Sequence, residues 1–187
     1  MTTPAPRRRN LALIGARGTG KTSVGRIVAD RLGLPFVDAD AELERTVGRS
    51  IAAIFAEGGE AAFRDLEEET LGALTARDGL VLATGGGAVL RAANRRALRE
   101  FGLVAWLMAE PGVLAERLRR DAGGRPALTE AGLLAEIAAV LEARVPLYQE
   151  VADAALDTTG LSPAEVAAVI VSVWSPWHAA GHAAADS

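Results

Sequence analysis

Between Asn10 and Thr22 the chain reads NLALIGARGTGKT, and no other stretch constrains its fold as much. Asn10 to Ile14 is a short apolar run ended by Gly15, which reads as a buried strand. Beyond Gly20, Val24, Ile27, Val28, Arg31 and Leu32 recur at helical spacing, and Gly33 follows where a C-terminal cap belongs. Between them Gly15, Gly20, Lys21 and Thr22 satisfy G-x-x-x-x-G-K-[ST]. Glycines let the backbone turn so that successive N–H groups aim at phosphate oxygens, and the helix N-terminus adds its positive dipole end. A strand, a glycine turn and a helix in this order make a phosphate cradle. A nucleotide is expected there, with Gly18, Thr19, Gly20, Lys21, Thr22 and Ser23 around its phosphates.

Lys21 is the only lysine, beside nineteen arginines. The exception has a chemical reason. A compact ammonium can sit between β- and γ-phosphates, where a planar, longer guanidinium does not fit. The hydroxyl of Thr22 is expected on Mg²⁺.

Composition removes other chemistries. Cysteine is absent, which excludes disulfides and thiolate metal sites, and both histidines, His178 and His182, lie in the alanine-rich end of the chain. Catalysis is left to carboxylates, Arg, Lys, hydroxyls, backbone N–H groups and a hard cation. The net charge of −4 offers no general field for nucleic acid. The start, MTTPAPRRRN, lacks the apolar region of a signal peptide, and Pro176 and Gly181 interrupt the uncharged stretch Val166 to Ala185. A cytoplasmic protein with no membrane or nucleic-acid partner is expected.

The remaining pattern alternates strands and helices. LPFVDAD is a second strand, with Asp38 and Asp40 expected at its end. Helical segments follow near 41–46, 50–56 and 60–75. LVLAT is a third strand, closed by Gly85, Gly86 and Gly87; a helix near 94–100 leads to LVAWLM, the fourth. Pro111 opens a helix to about Arg120, and DAGGRPALT is a loop before a long helix from Glu130 to Tyr148. AALD is a short fifth strand, and SPAE starts a last helix with Ser162 and Glu165 as a capping box. The order predicts one α/β domain with a parallel sheet and helices on both faces.

Several of these pieces together resemble one family. GARGTGKT, D-x-D after strand two, G-x-S-I-x-x-I-F, G-E-x-x-F-R-x-x-E, TGGGAV and RVPLY fall in the order of shikimate kinase over roughly residues 10 to 160. The resemblance implies a P-loop fold like that of nucleoside monophosphate kinases, with a five-stranded parallel sheet and a mobile lid. It implies transfer of the γ-phosphoryl group of ATP to the 3-hydroxyl of shikimate. By position, Thr22 ligates Mg²⁺ and Asp38 supports it through water. Asp40 accepts the shikimate hydroxyls and takes the proton of the attacking one. Arg64 and Arg144 grip the carboxylate, Gly86 adds a backbone contact, and Glu67 orients Arg64. Arg125 reaches the phosphates, and Arg120 is expected near adenine. Tails at 1–9 and 175–187 flank a domain spanning 10–174, its lid at about 120–130; the last tail is expected to lack fixed structure. A monomer is expected.

The chain departs from the family in the lid, where RPAL puts Ala127 in place of a leucine and Arg120 to Arg125 is short, and in DTTGLSP, which lacks an arginine found in some members. Two other readings stand beside this one: a kinase of another hydroxylated metabolite such as gluconate, or a nucleotide-binding module without catalysis. Two arginines meeting without a carboxylate should repel, so a strained empty site is expected.

Overall fold

The computed structural model describes residues 9–121 and 130–183, with side chains described over 9–120 and 132–176. Arg125 and Ala127 lie outside the described residues. Five parallel strands form one sheet: β1 Leu11–Ile14, β2 Phe36–Asp38, β3 Val81–Ala83, β4 Leu103–Met108 and β5 Ala154–Asp157, in the spatial order β2-β3-β1-β4-β5. Between and after them run α1 Lys21–Leu32, α2 Ala39–Val47, α3 Ile51–Thr75, α4 Ala92–Phe101, α5 Pro111–Asp121, α6 Glu130–Val151 and α7 Pro163–Ala183.

The first strand is central. Leu11 registers with Val81 on one side and with Leu103 on the other. Alternation along it splits the core in two: Ala12 and Ile14 join Leu82, Val104 and Trp106 beneath α3, α4 and α6, whereas Leu11 and Leu13 join Val81, Ala105 and Leu107 beneath α1 and α7. Burial on both faces explains why these strands read as unbroken apolar runs rather than alternating ones. Because β1 lies between strands that leave it in opposite directions, its carboxyl end opens on a topological switch point, where open α/β sheets bind ligands.

Local differences from the sequence reading have identifiable causes. Asp40 is not at the end of a strand: β2 stops at Asp38, whose carboxylate caps α2 by accepting from the N–H groups of Asp40 and Ala41 at 3.1 and 3.3 Å. Asp40 therefore sits in the first turn of α2. The helical segments expected near 50–56 and 60–75 are joined in α3, but Gly59 interrupts it at φ 68°, ψ −168°, a conformation closed to side-chain-bearing residues. A short 3-10 turn at Ala88–Leu90, which the periodicity does not announce, follows the glycine triplet. The capping box forms as expected, with the Glu165 N–H donating to Ser162 Oγ and the Ser162 N–H to Glu165 Oε2. The backbone of α7 runs on to Ala183, beyond Trp174, where the sequence placed the end of the domain and the start of a tail.

Candidate active site

The turn after β1 and the N-terminus of α1 floor a cleft of about 580 Å³. Its lining runs over Arg17 to Val24 and adds Asp38, Asp40, Thr84, Gly86 and Arg117. The turn approaches its surroundings closely: a Cβ on Gly15, where φ is 136°, would fall 2.2 Å from the carbonyl oxygen of Leu107. Lys21 is 9% exposed, and its ammonium donates to the carbonyls of Gly15 and Ala16, both at 2.9 Å. Burial pushes its pKa down to about 8, while Asp40 and Asp38 act in the opposite sense. The charge is thus held ready beside two carboxylates, in a place that welcomes an arriving phosphate.

Beside it Thr22 Oγ1 donates to Asp38 Oδ2 at 2.7 Å. A hydroxyl and a carboxylate in contact are the hard oxygen donors that Mg²⁺ takes, and that ion commonly completes its shell with substrate phosphates and water. No cluster of three or more His, Cys, Asp or Glu able to hold a metal occurs among the described residues. The pair fits a nucleotide-bound cation and no all-protein cage.

Across the cleft the glycine triplet carries the second half of the site. A Cβ on Gly85 would lie 2.7 Å from Asp40 Oδ1 and 2.8 Å from Glu67 Oε1; one on Gly87 would lie 2.4 to 2.6 Å from the guanidinium of Arg64. Only a bare backbone leaves room for these three side chains. Burial and the neighbouring Asp38 raise the pKa of Asp40, against the pull of Lys21 and Arg64. Burial also raises that of Glu67, although Arg64 opposes it.

The arginines are not left to repel each other. Arg64 Nη1 donates to Glu67 Oε2 at 2.7 Å, and its Nε and Nη2 both donate to Glu60 Oε1, at 3.1 and 3.0 Å. Arg144, on α6, donates to the carbonyl of Gly86 at 3.1 Å, and the Tyr148 hydroxyl donates to the same oxygen at 2.6 Å. The strained empty site expected from sequence is therefore absent; carboxylates and a carbonyl hold both guanidinium groups.

Arg120 is elsewhere. Its side chain is 74% exposed and pairs with Glu116, away from the cleft lining. One helical turn back, Arg117 faces the cleft, donating to Gly18 O at 3.3 Å, to Thr158 Oγ1 at 3.1 Å and to Thr158 O at 3.1 Å. The sequence reading missed it because "AERLRR" offers three arginines and only the rotation of α5 against β5 tells them apart. Helical spacing from Leu114, buried on the same helix, would have favoured Arg117.

Comparison with known proteins agrees with this geometry. A protein-family model described as shikimate kinase matches residues 17–175. The chain belongs to the shikimate kinase family. It is 44% identical over 163 residues to a shikimate kinase of Thermodesulfovibrio yellowstonii, covering 87% of this chain and 93% of that one. Among solved structures, the shikimate kinase of Acinetobacter baumannii in complex with shikimate superposes with a TM-score of 0.81 at 38% identity, covering 91% of this chain and 93% of that one. A gluconokinase of Sinorhizobium meliloti shares the fold alone, with a TM-score of 0.57 at 21% identity over 94% of both chains. The chain is thus a member of a kinase family that phosphorylates a hydroxyl of shikimate, and the module without catalysis loses its footing.

Proposed function

We infer that this shikimate kinase moves the γ-phosphoryl group of ATP to the 3-hydroxyl of shikimate, with the roles divided between the two sides of the cleft. The observation that carries the reading is the opposition of Lys21, on the phosphate turn, to Asp40, Arg64, Gly86 and Arg144, gathered around the glycine triplet. Gly18 to Ser23 cradle the phosphates. Arg117 presents a flat guanidinium where a base can stack, in place of Arg120. Thr22 and Asp38 would hold Mg²⁺, which supplies neutralisation of phosphate charge when bound.

Arg64 and Arg144 suit a carboxylate through charge-assisted, forked hydrogen bonds. Asp40 accepts a hydrogen bond from the attacking hydroxyl and takes its proton as that oxygen bonds to the γ-phosphorus. The bond from that phosphorus to the bridging oxygen breaks, and ADP leaves with the electron pair. Phosphoryl transfer needs positioning and charge stabilisation more than a strong base, so a chain without histidine in its catalytic half is not handicapped. Lys21, released from the carbonyls of Gly15 and Ala16, meets the developing phosphate charge. Arg125, outside the described residues, is assigned to the same charge from the lid.

A coupled ADP-release assay with shikimate, with gluconate and without acceptor tests the assignment. Release that depends on shikimate is expected; release with gluconate alone, or equal release without acceptor, overturns it.

A further inference from the structure

The acceptor half of the cleft is short of one positive charge. Lys21, Arg64 and Arg144 stand among the carboxylates of Asp38, Asp40, Glu60 and Glu67, so positive charge is in no surplus there. Arg64 in particular gives all three of its nitrogens to Glu60 and Glu67. An incoming carboxylate would meet a site with no surplus of positive charge, and would compete with Glu60 and Glu67 for the same guanidinium.

One cation nearby is uncommitted. Arg17 is exposed, lines the cleft, and makes no hydrogen bond or ion pair among the described residues. The turn places it at the boundary between the two halves: a Cβ on Gly86 would lie 3.1 Å from the backbone nitrogen of Arg17. The carbonyl of that same Gly86 holds Arg144 and Tyr148. The residue joining the phosphate turn to the acceptor pocket therefore carries the free guanidinium.

We propose that Arg17 is a specificity-determining residue, a third arm that recognises the carboxylate of the acceptor beside Arg144 and Arg64. The proposal rests on the carboxylate-clamp reading above. It supplies what that clamp lacks, a cation with no partner among the described residues to give up on binding.

The test uses Arg17→Met, Arg17→Lys and Arg144→Met in the full chain, with shikimate and with its analogue in which the carboxylate is reduced to an alcohol. Arg17→Met should raise KM for shikimate about tenfold, the scale of one hydrogen bond to a charged group, and leave KM for ATP within about twofold. Its calorimetric affinity for the alcohol should match wild type, and Arg17→Lys should recover part of the affinity for the acid. An unchanged KM for shikimate in Arg17→Met overturns the proposal, as does a KM for ATP that rises as much, which would assign Arg17 to the phosphates. If wild type binds acid and alcohol equally, the clamp itself is wrong. If wild type separates them and Arg144→Met loses the distinction while Arg17→Met keeps it, the clamp stands and only Arg17 falls.

Discussion

Lys21 is buried without a carboxylate partner at hydrogen-bond distance, its ammonium satisfied by two carbonyls, and two predictions follow from its surroundings. Lys21→Arg keeps the charge but cannot fit a planar group between the carbonyls of Gly15 and Ala16 and the arriving phosphates. Its kcat should fall at least ~10²-fold, the loss of ~3 kcal/mol of transition-state stabilisation, with the far-ultraviolet dichroism unchanged. Near wild-type turnover in the arginine variant would remove the argument from the solitary lysine. The second prediction concerns pH. A lysine whose folded pKa is about 8 against an ordinary 10.5 carries a folding penalty that is complete below pH 8 and relieved as pH rises toward 10.5. In that window the unfolded state binds the extra proton, so stability climbs with pH. Between pH 7 and 9.5 the ligand-free wild type should gain ~2 kcal/mol relative to Lys21→Met in urea unfolding. Parallel pH dependence of the two proteins would contradict the burial of this charge.

At the scale of elements, the glycine triplet works as a tight floor on which α2 and α3 set their side chains. Gly87→Ala would drive a methyl group into the Arg64 guanidinium and loosen its bonds to Glu60 and Glu67. KM for shikimate should rise by ~10-fold or more while KM for ATP holds, since the phosphate turn is not touched; the scale is that of one displaced charge-assisted hydrogen bond. Steady-state kinetics in both substrates decide it, and a rise confined to ATP would place the triplet on the wrong half of the cleft. The break at Gly59 belongs to the same design. It divides α3 into two stretches, and Ile54 before it and Phe63 after it both pack with Leu43, while Arg64 reaches the glycine triplet. Ser162 and Glu165 are a plainer case: Ser162→Ala removes a cap from α7 and should cost ~1 kcal/mol in chemical denaturation.

Over the whole molecule, α7 closes the face of the sheet opposite the acceptor side. Val166, Ala167, Ile170 and Trp174 pack with Val24, Val28 and the inner residues of β1 and β4. Trp174→Ala should therefore destabilise the chain by ~3–5 kcal/mol in denaturant titration. Turnover well below the melting temperature should be kept, because Trp174 does not line the cleft. A stability change within ~0.5 kcal/mol would mean that this end of α7 is an appendage rather than part of the core.

The phosphate turn was legible residue by residue because every determinant of a strand, a glycine loop and a helix start lies within thirteen consecutive residues, Asn10 to Thr22. The fifth strand, the cap at Ser162 and the division of α3 at Gly59 were legible for the same reason: each depends on neighbours in the chain. The family followed from the order of such local motifs. What the sequence could not hold was any choice made between distant segments. Arg117 and Arg120 are equivalent as text, and only the rotation of α5 against β5 sends one to Thr158 and the other to solvent. Asp40 looked like a strand end because the cap that starts α2 early is the side chain of Asp38, itself committed to Thr22. The repulsion expected between two arginines vanished for one local reason, Glu60 and Glu67 a turn before and a turn after Arg64 on α3, and one distant reason, the Gly86 carbonyl turned to Arg144. Charge balance in a site is a sum over side chains far apart in the chain. Tertiary packing alone decides which of them are close enough to count.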